Sequence, residues 1–156
     1  MKIVKQMVID LGRFVGEFEH KVDAKGRIPI PPKFRAELKD GLVLTPGVEK
    51  YIVIHPLPEW EKVTAALNIS TITSSKLRRI NRAIFATSFH INIDSQGRIV
   101  VPAPLREYAD IKDEVIIAGA NTYIELWNKK QWEAEKTLSQ KQAWHIIESL
   151  ETTRVR

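Results

Sequence analysis

The sequence contains one short motif twice, and this duplication limits the folds that the chain can adopt. Asp-Ala-Lys-Gly-Arg at residues 23–27 returns as Asp-Ser-Gln-Gly-Arg at residues 94–98, 71 positions later. The matches indicate two copies of a unit of about 50 residues, which is too small to bury much core alone. We therefore predict two half-domains that pair about a pseudo-twofold axis. Residues that match in order around the motif include Phe18 with Phe89, Ile28 with Ile99, Pro31 with Pro102, Arg35 with Arg106, Tyr51 with Tyr123 and Trp60 with Trp132.

The motif and its flanks predict a turn between two strands. Asp at the first position and Gly at the fourth are the preferences of a type I turn, with Gly supplying a positive φ after it. Alternating apolar residues flank the turn, with Phe18 and Val22 before the first motif and Ile28 after it, as is typical of half-buried strands. Each motif is thus predicted to be the tip of a β-hairpin, with Arg27 or Arg98 as the first residue leaving the tip.

The remaining patterns predict short helices and further strands in each copy. Proline near the first turn marks the short helices PPKFRAEL and APLREYA, and the apolar runs GLVLTP, YIVIHP, EVIIAG and YIELWN predict strands. PEWEKVTAAL and KQWEAEKTL are predicted helices, and residues 74–86 and 140–151 each carry an apolar stripe at helical spacing. The predicted fold class is mixed α+β. The predicted segments are a first repeat at 13–70, a basic helical linker at 71–88, a second repeat at 89–138, and a C-terminal helix and tail at 139–156.

Composition is that of a globular protein in a reducing compartment. Of the 156 residues, 44% are hydrophobic and 28% are charged, which suits one ordinary core. The chain has no cysteine, which excludes disulfides and thiolate chemistry. No apolar run approaches the roughly 20 residues of a membrane helix, and residues 1–12 are too short and polar for a secretory signal. We expect a cytoplasmic protein, and the net charge of +5 favours an anionic partner.

No arrangement of residues in the sequence indicates catalysis. The four histidines have neither metal-ligand spacing nor counterparts in the other repeat, and no glycine-rich phosphate loop is present. Asp23 and Asp94 could form an acid pair across the pseudo-twofold axis, but their position at the start of a turn favours capping of their own backbone. We therefore predict no enzyme activity, no cofactor and no metal.

The arginine at the end of each turn suits contact with nucleic acid. A two-stranded β-ribbon fits the major groove of DNA, and arginine presents a planar fork to guanine or phosphate. The alternative is a good turn followed by a solvated arginine. A turn requires only Asp and Gly, whereas both copies keep the arginine, and this favours binding. The predicted DNA-binding residues are Asp23, Lys25, Gly26, Arg27, Asp94, Gln96, Gly97 and Arg98.

Two further groups of cations allow more than one interpretation. Arg35 and Arg106 each follow a residue predicted to be buried, and such arginines either make structural contacts or bind phosphate. The linker helix has a cationic face, which is typical of a solvated surface, with contact to phosphate or a neighbouring subunit as the alternative. The cations of that face are Lys76, Arg78, Arg79 and Arg82.

Three stretches of the sequence resemble the MraZ family of bacterial transcriptional regulators. These are GEFEHKVDAKGRIPIPPKFRAEL, SSKLRRINRAIF and IDSQGRIVVPAPLREYADIKDEVIIAGANTYIELWNKKQWE. The half-unit also resembles the wider AbrB and MazE-like swapped-hairpin fold. This resemblance implies that the two halves interleave into one AbrB-like swapped-hairpin β-barrel with helices outside.

The resemblance also implies a function. It implies a homo-oligomeric ring, associated with the nucleoid, that binds short direct repeats of double-stranded DNA upstream of the division and cell-wall gene cluster, its own operon. The D-x-x-x-R motifs of the family correspond to Asp23 with Arg27 and to Asp94 with Arg98. In a ring, binding of one subunit raises the effective concentration of the next subunit at the DNA, so several weak contacts act together.

A second function class stays open at this point. The chain could be a ring-forming scaffold whose main partner is another protein. Trp144, Ile147 and Leu150 on the tail helix would then form the docking stripe.

Overall fold

A computed structural model describes residues 13–68 and 73–155; the predictions made for residues 1–12 lie outside them. This part of the chain has the mixed α+β composition predicted from the sequence. The strands are β1 (Glu17–Lys21), β2 (Arg27–Pro29), β3 (Leu42–Pro46), β4 (Ile52–Pro56), β5 (Phe89–Ile91), β6 (Arg98–Val100), β7 (Glu114–Gly119) and β8 (Ile124–Trp127). The helices are α1 (Leu57–Leu67), α2 (Ser74–Ile80), α3 (Ala103–Tyr108) and α4 (Lys129–Val155).

The strands form two separate antiparallel sheets. Six strands form one sheet in the order β1-β7-β8-β4-β3-β5, and β2 pairs with β6 in a two-stranded ribbon. The predicted barrel differs from this arrangement, because the edge strands β1 and β5 form no ladder with each other. The strands that follow them along the chain, β2 and β6, pair only with one another within the described residues, so the ribbon does not close the larger sheet into a cylinder.

Strand pairing crosses between the two repeats. β1 of the first repeat pairs with β7 of the second, and β5 of the second pairs with β3 of the first. The ribbon likewise joins one strand from each repeat. The predicted simple hairpins are therefore wrong: each motif forms a tight turn, but the strands on its two sides pair with strands of the other repeat.

One core is shared by both repeats. Ile28 and Ile30 from the first repeat and Ile99 and Val101 from the second are all at most 2% exposed. They belong to a single cluster of buried side chains that also includes strands of the large sheet. Because neither repeat buries these residues alone, the two repeats form one folding unit.

The helices differ from prediction in two places. The two helices predicted near the C-terminus are one helix, α4, because no glycine or proline interrupts residues 129–155. Its first half is attached to the edge strand β1 by ion pairs of 2.9 Å from Lys136 to Glu17 and from Lys129 to Glu19. The predicted helix PPKFRAEL forms two short 3₁₀ turns, at Pro32–Phe34 and Ala36–Leu38.

Three other helix predictions are confirmed. α3 coincides with APLREYA, and α1 coincides with PEWEKVTAAL. The predicted linker helix is α2, which is continued by a π-helical turn at Asn81–Phe85. Phe85 in that turn packs edge-on against Trp60 of α1, with ring centroids 5.5 Å apart, and this contact joins the linker to the first repeat.

Candidate functional site

The first motif forms a turn that Asp23 holds closed. Its Oδ1 accepts hydrogen bonds from the backbone N–H of Lys25 (2.9 Å) and of Arg27 (2.8 Å), and its Oδ2 accepts one from Nε of Arg27 (2.7 Å). The backbone N–H of Gly26 donates to the Asp23 carbonyl at 3.0 Å, and Gly26 has the predicted positive φ, 77°. The prediction that the aspartate caps its own turn is confirmed.

The second motif repeats this geometry. Asp94 Oδ1 accepts from the backbone N–H of Gln96 and of Arg98, both at 2.9 Å, and its Oδ2 accepts from Nε of Arg98 at 3.1 Å. Gly97 has a φ of 76°. Since each carboxylate is engaged by its own turn, the two aspartates do not form the acid pair considered from the sequence.

The same hydrogen bonds lower the pKa of both aspartates. For Asp23 the main cause is the backbone N–H of Arg27, and for Asp94 it is the backbone N–H of Arg98. Each donor stabilises the charged carboxylate, with the guanidinium of the same arginine adding to the effect. These groups are therefore ionised near neutral pH and hold no proton for acid catalysis.

An acid titration should detect this arrangement. We expect the carboxyl groups of Asp23 and Asp94 to titrate below the ordinary pKa of 3.8. The pKa of each aspartate is lower in the folded protein than in the unfolded chain, so the hydrogen bonds stabilise the turns at pH values above the unfolded pKa. This stabilisation is lost as the pH falls through the pKa of the folded protein. NMR carboxyl shifts followed from about pH 6 to about pH 2 would measure both groups. A value at or above 3.8 for either aspartate would contradict the turn geometry.

The two motif arginines lie on one face of the ribbon. In the β2–β6 register, Arg27 is opposite Val100, Ile28 is opposite Ile99, and Pro29 is opposite Arg98. The isoleucine pair is buried, so the other two pairs share the outward face. Arg27 and Arg98 are diagonal neighbours there, a relation that places residues about 7–8 Å apart. Since each turn immediately precedes its strand and the strands are antiparallel, the turns lie at opposite ends of the ribbon.

Both arginines keep donors for a ligand. Their side chains are each 28% exposed, and within the described residues their side-chain hydrogen bonds use only Nε. The two Nη groups of each guanidinium are thus left without a protein acceptor in that part of the chain. Lys25 and Gln96, the other predicted polar contacts, are exposed on the two turns.

The second pair of arginines also lies at the turns, in a crossed arrangement. Arg35 donates from Nε to the carbonyl of Ile30, and Arg106 donates to the carbonyl of Val101, both at 2.9 Å. A Cβ placed on Gly26 would lie 3.0 Å from Cζ of Arg106, and one placed on Gly97 would lie 2.3 Å from Cζ of Arg35. Each of these two arginines therefore covers the turn of the other repeat. Arg35 and Arg106 occupy the same position in the two copies, and this repetition identifies them in the sequence. Nothing local in the sequence indicates that each one lies against the turn of the other repeat.

The structure offers no site for a metal in its described part. Among residues 13–68 and 73–155, no three His, Asp or Glu side chains form a group that could hold an ion. None of the helices there has an apolar stretch of the length needed to cross a membrane.

Comparison with known proteins identifies similar chains. A family model described as "MraZ protein, putative antitoxin-like" matches residues 13–82 and again residues 84–153. A protein named Transcriptional regulator MraZ from Dehalococcoides mccartyi is 55% identical over 139 residues, which is 88% of this chain and 98% of that protein. Proteins of the same name from Herpetosiphon aurantiacus and Thermoanaerobacter pseudethanolicus are 42% and 43% identical, over 77% and 76% of this chain and 84% and 83% of their own length.

Proposed function

We propose that this chain, which belongs to the MraZ family, is a transcriptional regulator that binds double-stranded DNA through the outward face of the β2–β6 ribbon. Its relatives bear the name transcriptional regulator, and the family is one of regulators rather than enzymes. The observation that carries the proposed site is the diagonal placement of Arg27 and Arg98 on that face.

Two features of the ribbon support contact with DNA: it is two-stranded, and its outward face carries arginine donors. A two-stranded β-ribbon fits the major groove, where an arginine can make two hydrogen bonds to guanine or one to a nearby phosphate. Asp23 and Asp94 fix the direction of Arg27 and Arg98 through Nε, so that little side-chain freedom is lost when the Nη groups bind. Gly26 and Gly97 complete the turns, because the positive φ at these positions favours glycine.

The two ends of the ribbon are chemically different. Lys25 places a positive charge on the first turn, and Gln96 places a neutral amide at the matching position of the second. A charge strengthens contact with phosphate, whereas an amide can pair with adenine in the major groove. We propose that this difference gives the ribbon a direction on DNA, which suits direct repeats rather than palindromes.

The resemblance to the family supplies the finer proposals. The operator would consist of short direct repeats upstream of the division and cell-wall gene cluster, which would include this gene. A homo-oligomeric ring in the cytoplasm, associated with the nucleoid, would present many ribbons and engage successive repeats, so that weak contacts add through effective concentration.

A titration of DNA tests the proposal. Labelled DNA from upstream of this gene and a scrambled copy of the same composition would each be titrated with the protein at two salt concentrations. We expect tighter binding to the native sequence and a steep loss of affinity with salt, because each phosphate contact adds roughly 0.9 to the slope of log affinity against log salt. Equal affinity for the two DNAs at both salt concentrations would contradict sequence-specific binding.

A protein-binding scaffold is the second candidate function. The C-terminal half of α4 exposes the apolar side chains of Trp144 (67%), Ile147 (43%) and Leu150 (61%) at helical spacing. Such a stripe is typical of a surface that binds another protein. Weak binding to both DNAs that does not change with salt would favour this candidate.

A further inference from the structure

Each motif turn is packed against an arginine from the other repeat. Arg106, on α3 of the second repeat, lies so close to Gly26 that a Cβ on this glycine would be 3.0 Å from its Nε, Cζ and Nη2. Arg35 of the first repeat lies even closer to Gly97, where a Cβ would be 2.3 Å from Cζ and 2.5 Å from Nε. Both glycines are buried. The turn and the arginine therefore occupy adjoining space with no room for a side chain between them.

Backbone hydrogen bonds also connect each turn to the residue that binds the covering arginine. Val101 donates its N–H to the carbonyl of Gly26 at 2.8 Å, and the carbonyl of Val101 accepts Nε of Arg106 at 2.9 Å. One residue of the second repeat thus binds both the turn of the first repeat and the arginine that covers it. Ile30 makes the equivalent pair of bonds to Gly97 (2.8 Å) and to Arg35 (2.9 Å).

We infer that Arg106 and Arg35 are positioning residues, each of which holds the motif turn of the opposite repeat in its shape. Arg106 would keep Arg27 in place, and Arg35 would keep Arg98 in place. Only the consequence for DNA rests on the proposed function, because the packing itself involves no ligand. A change at Arg35 or Arg106 should therefore appear in the motif turn of the opposite repeat.

Substitution of these arginines by lysine distinguishes a positioning role from an effect of their positive charge. Arg106→Lys and Arg35→Lys keep the positive charge that a phosphate contact needs. Lysine lacks both the planar group that lies against the glycine and the fixed Nε donor that binds the backbone carbonyl. If these arginines act only as charges, the lysine variants should resemble the natural protein.

Hydrogen exchange of the turn amides, measured by NMR without DNA, tests the inference. In Arg106→Lys we expect the first turn to exchange about five- to tenfold faster, as for the loss of one hydrogen bond, and the second turn to stay within about twofold. Arg35→Lys should give the reverse pattern, so each variant is the control for the other. The reporting amides are those of Lys25, Gly26 and Arg27 in the first turn and Gln96, Gly97 and Arg98 in the second.

The other outcomes would overturn the inference. Equal acceleration at both turns would mean a general loss of stability, acceleration at the turn of the same repeat would refute the crossing, and unchanged exchange would mean that the arginines position nothing. Since no DNA is present, each of these results leaves the proposed DNA binding standing. Failure of DNA binding would in turn leave a crossed exchange pattern intact.

Once operator binding is established, the affinities of double variants test whether Arg106 acts on DNA binding through the first turn. The loss of operator affinity in Arg106→Lys should not add to the loss in Arg27→Ala, because both changes affect the same turn. It should add to the loss in Arg98→Ala, which affects the other one. Additivity in both combinations would overturn the pairing of Arg106 with the first turn.

Discussion

Replacing Arg27 and Arg98 together with alanine should lower the affinity for the native DNA repeats by at least about 30-fold, since each arginine–guanine pair contributes about 1–3 kcal/mol. Both side chains lie on the outward face of the ribbon, and their Nη groups have no acceptor within the described residues. The turns should persist, because Asp23 and Asp94 still accept the backbone N–H bonds that close them. Fluorescence anisotropy with native and scrambled DNA measures the loss.

A charge-matched variant distinguishes recognition from loss of positive charge. Arg78→Ala with Arg79→Ala removes the same two charges from the exposed surface of α2. We expect this control to weaken binding to both DNAs alike and to keep the preference for the native repeats. Thermal unfolding should give similar midpoints for both variants. If the two double variants lose the same affinity and keep the same preference, the ribbon arginines contribute only charge, and the site lies elsewhere.

Local features of the motifs were predictable from the sequence because they depend on adjacent residues. The aspartate that caps the turn and the glycine with positive φ follow from preferences within the five residues of each motif. The α+β class, the strands and most of the helices follow from periodicity for the same reason. The family was evident from the tandem motifs, and the comparisons confirm it.

The pairing of the strands was not predictable from residue patterns alone. The pattern around Ile28 fits a strand that pairs within the first repeat equally well as a strand that pairs with Ile99 of the second, because the two repeats are nearly equivalent in sequence. The choice between them depends on how the whole core packs, and no window of sequence contains that information. For this reason the simple hairpin was predicted wrongly. The position of Arg106 over the turn of the other repeat is a consequence of the same crossing.

The C-terminal helix illustrates a different limit. The patterns of residues 130–138 and 140–151 each predict a helix, and only the second carries an apolar stripe, so the sequence indicates two elements. Without a glycine or proline between them, a single helix keeps the backbone hydrogen bonds that a break would lose. The segment boundaries predicted at 88 and 138 stay predictions, because the strands of the repeats interleave and give no boundary in space. The boundary predicted at 70 lies outside the described residues.

Replacing the buried Ile28 with alanine should lower the free energy of unfolding by about 2–5 kcal/mol, the usual cost of removing a large core side chain. Ile28 is 0% exposed, and it faces Ile99 of the other repeat across the ribbon. Val100→Ala is the matched control, because Val100 lies on the same ribbon but faces outward and is 47% exposed. We expect the control to stay within about 0.5 kcal/mol of the natural protein. Chemical denaturation measures both variants.

Ile99→Ala tests whether the two repeats unfold together. Ile99 is 1% exposed and belongs to the second repeat, yet it occupies the same core as Ile28. Because the ribbon and the large sheet are each built from both repeats, we expect either isoleucine variant to shift one single unfolding transition of the whole chain. Tryptophan fluorescence reports on Trp60 in the first repeat and on Trp127, Trp132 and Trp144 later in the chain, and circular dichroism follows the helices. Two separate transitions, with each variant shifting only one of them, would contradict the interleaved fold and with it the ribbon on which the proposed DNA contact depends.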